Sequence, residues 1–275
     1  MQRRVQRYGW DLAADDYEAL WQGQLAPVQA ALLRGAAAAP GECVLDVACG
    51  TGLVTFEAAR AVGPDGRVVG ADISGQMVDS AGRQARDRAL AQVEFARMDA
   101  ESLTFANSSF DLVLCSLGLM YMPEPERALR EMCRVLRPTG RLALAVWGDR
   151  SRCGWASLFD IVQAEVASDV CPLFFRLGAP AALERACREA GFEEVEQQVL
   201  STTLSYVDAD EACRAAFVGG PVALSWSRFD GSTRARVAGA YTDAISMFRA
   251  GQGYEVPAEF VVVHARARSP LGPLR

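Results

Sequence analysis

The chain contains no lysine, so all 28 of its basic residues are arginine. That absence removes Schiff-base chemistry and the phosphate-gripping lysine of P-loop enzymes together. Histidine occurs once, as His264, so Ser-His-Asp hydrolysis, Cys-His nucleophilic catalysis and multi-histidine metal sites would all have to run through that residue. Strand alternation over Ala258 to Arg266 sets His264 on one face with Phe260 and Val262, which predicts packing rather than catalysis. A base, if the chemistry needs one, is then Tyr, Asp or Glu. The eight cysteines include no C-x-x-C pair, which offers no metal-ligand spacing and no disulfide framework. No metal is expected.

Long apolar runs are also missing. Nothing approaches the ~18 uninterrupted apolar residues of a membrane span, and Arg3-Arg4 leads into Gln6, Arg7 and Asp11 rather than into a signal-peptide core. The expected setting is cytoplasmic. A net charge of −6 argues against nucleic acid, which needs a basic face. A small-molecule substrate is expected, and the sequence leaves a homodimer open.

What is present is organised around Val44-Leu-Asp-Val-Ala-Cys-Gly-Thr-Gly52. The β-branched run reads as a buried strand, and Gly50 and Gly52 allow a sharp turn against a ligand before a helix opens at Thr51. Such a strand-turn-helix corner belongs to a doubly wound α/β sheet, with ligand outside the carboxyl ends of the strands. A dinucleotide fingerprint needs Gly or Ala at position 55, where this chain has Thr55. Asp46, at the strand end, suits an ammonium and a sulfonium better than a pyrophosphate. Asp72 closes the second strand (67–71), twenty residues past Gly52, where a carboxylate can accept from both ribose hydroxyls. Capping of the next helix is the alternative role, although Ser74 is available for it.

Asp-x-x-x-Gly-x-Gly here resembles motif I of the class I S-adenosylmethionine-dependent methyltransferases, and Arg-Val-Leu-Arg-Pro-Thr-Gly140 resembles a run of the type 11 group, which includes the ubiquinone/menaquinone C-methyltransferases. The likeness covers residues 40–148. It implies a mostly parallel, Rossmann-like sheet of seven strands with an antiparallel last strand. It also implies S-adenosyl-L-methionine held by Asp46, Ala48, Gly50, Thr51, Gly52, Asp72, Ile73, Met77, Asp99, Ala100 and Ser116, with S-adenosyl-L-homocysteine as product. Asp99 would meet the adenine amino group, and Tyr17 or Tyr8 the methionine carboxylate, with simple core packing as the alternative role of these two tyrosines. The fourth strand (110–115) would end beside the methyl group, so that residues 116 to 122 wall the reaction centre and Tyr121 is the catalytic candidate.

A single domain is expected: a helical lid (1–35), the core (40–148), cap insertions (149–180 and 205–250) and a loose tail (269–275). Aromatic residues concentrate in the caps and predict an apolar or aromatic acceptor touching Tyr8, Tyr121, Trp155, Phe174 and Trp226. Arg150, Arg152 and Arg176 are candidates for an acceptor's carboxylate or phosphate, and Cys153 and Cys171 for a thiophilic one. The spacing further predicts helices over 8–24, 25–34, 125–136, 180–190 and 233–249, with Glu126 paired to Arg130. Two other readings remain: a cofactor-binding module without turnover, and a nicotinamide-dependent oxidoreductase. The second is disfavoured by Thr55 and by the lack of any Tyr-x-x-x-Lys.

Overall fold

A computed structural model describes residues 2–166 and 173–268. The expected tail and Cys171 lie outside the described residues. The sheet comprises β1 (Cys43–Val47), β2 (Arg67–Asp72), β3 (Val93–Arg97), β4 (Phe110–Ser116), β5 (Leu136–Trp147), β6 (Phe192–Tyr206), β7 (Arg249–Ala250) and β8 (Gly253–Ala267). Their spatial order is β3-β2-β1-β4-β5-β8-β6, with the two-residue β7 pairing β8. The first five strands run parallel, and β8 is antiparallel to both β5 and β6. Strand order reverses between β1 and β4, the position at which open α/β sheets place ligands. Helices α2 (Leu53–Val62), α3 (Gly75–Asp87), α4 (Pro125–Val135) and α6 (Ala182–Glu189) accompany the sheet, while α5 (Ser157–Gln163), α7 (Ala209–Phe217), α8 (Ala223–Arg228) and α9 (Gly231–Ile245) form the caps.

The central strands are apolar on both faces, as parallel strands covered by helices must be: Val44, Leu45, Leu112, Val113 and Leu114 are all fully buried. The turn signal Gly63-Pro64-Asp65-Gly66 connects α2 to β2, and Ser74 caps α3 by accepting from the Met77 amide at 3.1 Å. Asp208 does the same for α7, accepting from Glu211 at 2.8 Å while the Glu211 carboxylate returns to the Val207 amide.

Several elements differ from expectation. The two N-terminal helices are one, α1 (Gln2–Ala36), which continues through Pro27. The lost backbone hydrogen bond is tolerated because Leu25, Val28, Ala31 and Leu32 bury against the core on both sides of the proline. β5 begins at Leu136, before Pro138-Thr-Gly140, because Leu136 already pairs with Phe110 and a bulge absorbs the interruption. Glu126 pairs not with Arg130 but with Arg176 of the following insertion, at 2.6 Å. Both carboxyl-terminal strands are longer than their apolar cores, since β6 and β8 pair along most of their lengths. No described helix is long and apolar enough to cross a membrane.

Candidate active site

The turn after β1 is built from left-handed residues: Ala48 (φ 56°), Gly50 (φ 55°) and Gly52 (φ 94°). Gly52 opens α2 and lies so close to Phe56 that a Cβ would stand 2.7 Å from its ring. Across the turn, a Cβ on Gly118 would stand 2.3 Å from that of Ala48, so the loop after β4 can lie directly on the β1 turn.

Two carboxylates meet here. Asp46 is buried, and one oxygen accepts from the Thr55 hydroxyl at 2.6 Å while the other, Oδ1, has no partner. Burial pushes its pKa up to about 7, with the Asp72 charge adding and the Thr55 hydrogen bond opposing. Asp72 accepts from the Gly50 amide at 2.9 Å and from the Ser74 amide at 2.8 Å, which ties the β1 turn to the end of β2. Burial raises its pKa too, against those backbone bonds. Since Ser74 is the side chain that caps α3, the alternative role of Asp72 as that cap falls away.

A cavity, open at its mouth, runs over this floor. Ala48, Gly50, Asp72, Ile73, Met77, Asp99, Ala100, Ser116, Tyr17 and Tyr121 all line it. Thr51 and Gly52 do not, and Asp46 stands behind the wall that Val47 and Ala48 present. The cover is one face of α1, carrying Arg3, Gln6, Trp10 and Tyr17. The Tyr17 phenol is held far above its ordinary pKa by burial and by the charges of Asp72 and Asp46, so it stays protonated and can donate. Arg3 belongs to no motif that would mark it in the sequence. It pairs with Asp99 at 3.2 Å and with the buried Glu101, so the first turn of α1 is latched to the loop after β3. The Asp99 carboxylate is thus shared with an arginine.

Beyond Tyr17 and Tyr121 lies a second, smaller chamber. Trp10, Tyr17, Leu117 and Tyr121 line both spaces, so this quartet is the partition. Trp155 lines the chamber, as expected, with Trp21, Trp147, Tyr206 and Tyr241. Phe174 stands one layer back, packed edge-on against Tyr121 and Trp155. Trp226 is not on the wall: it stacks on Phe217 with centroids 4.5 Å apart. Tyr8 is 43% exposed beneath the Arg7 guanidinium and lines neither space.

The other candidates have structural employment. His264 is half-buried in β8, its Nε2 3.1 Å from the Leu32 carbonyl at the far end of α1. Arg150 and Arg176 pair with Asp160 and Glu126 on the surface. Cys153 is a buried thiol raised to about 12 by burial. Among the described residues no cluster of side chains could hold a metal.

The donor set fits S-adenosylmethionine. Asp72 presents a buried carboxylate at a strand end on the cavity wall, and behind the glycine turn one buried oxygen of Asp46 lacks a hydrogen-bond partner among the described residues. Sheet order, switch point and paired strand-end carboxylates define a Rossmann-like nucleotide-binding enzyme. The methyltransferase-domain family profile matches residues 44–140. Nocamycin O-methyltransferase of Saccharothrix syringae is 34% identical over 202 residues, covering 68% of this chain and 72% of that protein. The ubiquinone/menaquinone biosynthesis C-methyltransferase UbiE of Hahella chejuensis is 46% identical over 103 residues, but the match spans only 37% of this chain and 41% of that enzyme. In fold, phosphoethanolamine N-methyltransferase 2 of Haemonchus contortus, solved with S-adenosylhomocysteine, aligns over 94% of this chain and 58% of its own, at TM-score 0.62 and 16% identity. The chain belongs to the S-adenosylmethionine-dependent methyltransferases.

Proposed function

We propose that this methyltransferase binds its cofactor along the β1-β2-β3 wall of the larger cavity and receives a small, largely apolar or aromatic acceptor in the smaller chamber. One observation carries the reading: the unpartnered Oδ1 of Asp46 lies beside the glycine turn, one strand from Asp72, at the switch point of the sheet. Asp46 would take the cofactor's ammonium, Asp72 its ribose hydroxyls, and Tyr17 its carboxylate through a phenol kept protonated. Ile73 and Met77 would face the adenine, with Asp99 and Ala100 at its edge. Thr51 and Gly52 serve by shaping the turn.

When bound, the cofactor supplies an electrophilic methyl group. The chain's task is to align the acceptor and keep water out. The Trp10, Tyr17, Leu117 and Tyr121 partition supports that division of labour, because it walls both spaces at once. Tyr121 is the residue best placed to touch the reacting atoms. Its ring is held edge-on by Trp10 and Phe174, with centroids 5.0 and 5.3 Å away. Residues 2–36 act as the lid, and 149–180 with 205–250 as the acceptor caps. Calorimetric titration tests the reading: S-adenosylhomocysteine binds saturably and NAD does not, whereas NAD binding without S-adenosylhomocysteine binding would overturn it.

A further inference from the structure

The smaller chamber is unlike the cofactor cavity in charge. Arg3, Asp72, Asp99 and Glu101 line the larger space, but among the described residues no ionisable acid or base other than phenols lines the smaller one. Burial pushes the phenols of Tyr206 and Tyr241 well above their ordinary pKa, so both remain neutral. Two polar groups in this wall are nevertheless unsatisfied. The indole nitrogens of Trp21 and Trp155 are buried without a hydrogen-bond partner among the described residues, in side chains of residues only 7% and 4% exposed. Leaving two such donors unpaired costs free energy, and native structures rarely do so without reason.

The arrangement holds these donors apart and in place. Trp147, stacked on Phe260 at 4.3 Å, stands edge-on to both Trp21 (6.2 Å) and Trp155 (4.7 Å). Gly219 packs closely beside one of them: a Cβ there would lie 2.9 Å from Leu20 Cδ1 and 3.4 Å from the Trp21 indole nitrogen.

We infer that the smaller chamber is an acceptor site for an uncharged ring system bearing oxygen, with the Trp21 and Trp155 N–H groups donating to its oxygens. The inference rests on the assignment of the larger cavity to the cofactor. Indole is a donor only, so it selects carbonyl, ether or hydroxyl oxygen and gives nothing to an amine. A carboxylate or ammonium would be buried without a counter-charge, which the chamber cannot offset. The acceptor is recognised by its rings and its oxygens, not by charge.

The test uses the full chain saturated with S-adenosylhomocysteine and three probes of one shape: naphthalene, naphthol and naphthoate, titrated calorimetrically near neutral pH. Naphthol should bind about tenfold tighter than naphthalene, the worth of hydrogen bonds to otherwise unpaired donors, and naphthoate should bind weakest. Trp155→Phe and Trp21→Phe keep an aromatic ring but remove the N–H; the single naphthol oxygen engages one donor, so one of the two variants should erase most of the naphthol preference while leaving naphthalene binding nearly unchanged. Gly219→Ala keeps both indoles and should weaken naphthol by crowding the Trp21 N–H. Equal binding of naphthol and naphthalene, a preference for naphthoate, or an unaltered preference in both Phe variants would overturn the inference. Failure to bind S-adenosylhomocysteine in the first place would instead overturn the cofactor assignment.

Discussion

Replacing Asp46 by Asn makes the cofactor site report on itself through stability. The pKa of Asp46 is raised from 3.8 to about 7, chiefly by burial, with the charge of Asp72 adding and the Thr55 hydrogen bond opposing. A folded pKa above the unfolded one means that the protonated form is the one the fold favours. The associated stability is complete below about pH 4 and is lost as pH rises through about 7. Each tenfold change in proton affinity is worth about 1.4 kcal/mol, so the loss over that window approaches ~4 kcal/mol. An asparagine cannot ionise. It can still accept from Thr55, and any fixed cost of its extra amide hydrogens shifts the whole curve without changing its slope. Urea unfolding of both proteins from about pH 4 to 8, without ligand, should show the variant gaining on the native chain steadily with pH. A constant difference across the range would refute a buried Asp46 with raised pKa.

Other changes separate the site from the scaffold. Tyr17→Phe removes one hydroxyl and should weaken S-adenosylhomocysteine by up to about tenfold in calorimetry, with little change in Tm. Ser74→Ala loses both the α3 cap and the 2.6 Å bond to Asp11 of α1, costing about 1–2 kcal/mol in denaturant unfolding. His264→Gln should lower Tm by disturbing the contact with Leu32 while leaving the affinity for S-adenosylhomocysteine unchanged; weakened binding in a folded variant would place the residue nearer the chemistry than β8 allows.

The proposed cofactor wall was readable in the sequence because it is local. Gly50 lies in the turn after one strand, with Asp46 and Gly52 shaping that turn from behind, and Asp72 is the last residue of the next strand, so period and spacing suffice. Ser74 was likewise readable as a cap from its place before α3. The smaller chamber is assembled from α1, the ends of β4, β5 and β6, α5, α7, α9 and the Gly219-Gly220-Pro221 turn, and no spacing links Trp21 to Trp155 or to Tyr241. Aromatic content in the caps signalled a lined pocket, but it did not distinguish Trp155, which lines the wall, from Phe174 behind it or Trp226 stacked elsewhere. Arg3 escaped notice because its partners Asp99 and Glu101 are about a hundred positions away. Tyr8 drew attention by type alone, and its position on α1 turns it to solvent.

The central claim is that strand-end carboxylates hold S-adenosylmethionine, and side-by-side calorimetric titration of the native chain and Asp72→Ala with S-adenosylhomocysteine tests it most directly. Charge-assisted hydrogen bonds to the ribose are worth about 1.5–3 kcal/mol each. The native chain should therefore bind saturably, and the folded variant at least about tenfold more weakly. Equal affinity in a folded Asp72→Ala, or no binding by the native chain, would contradict the account.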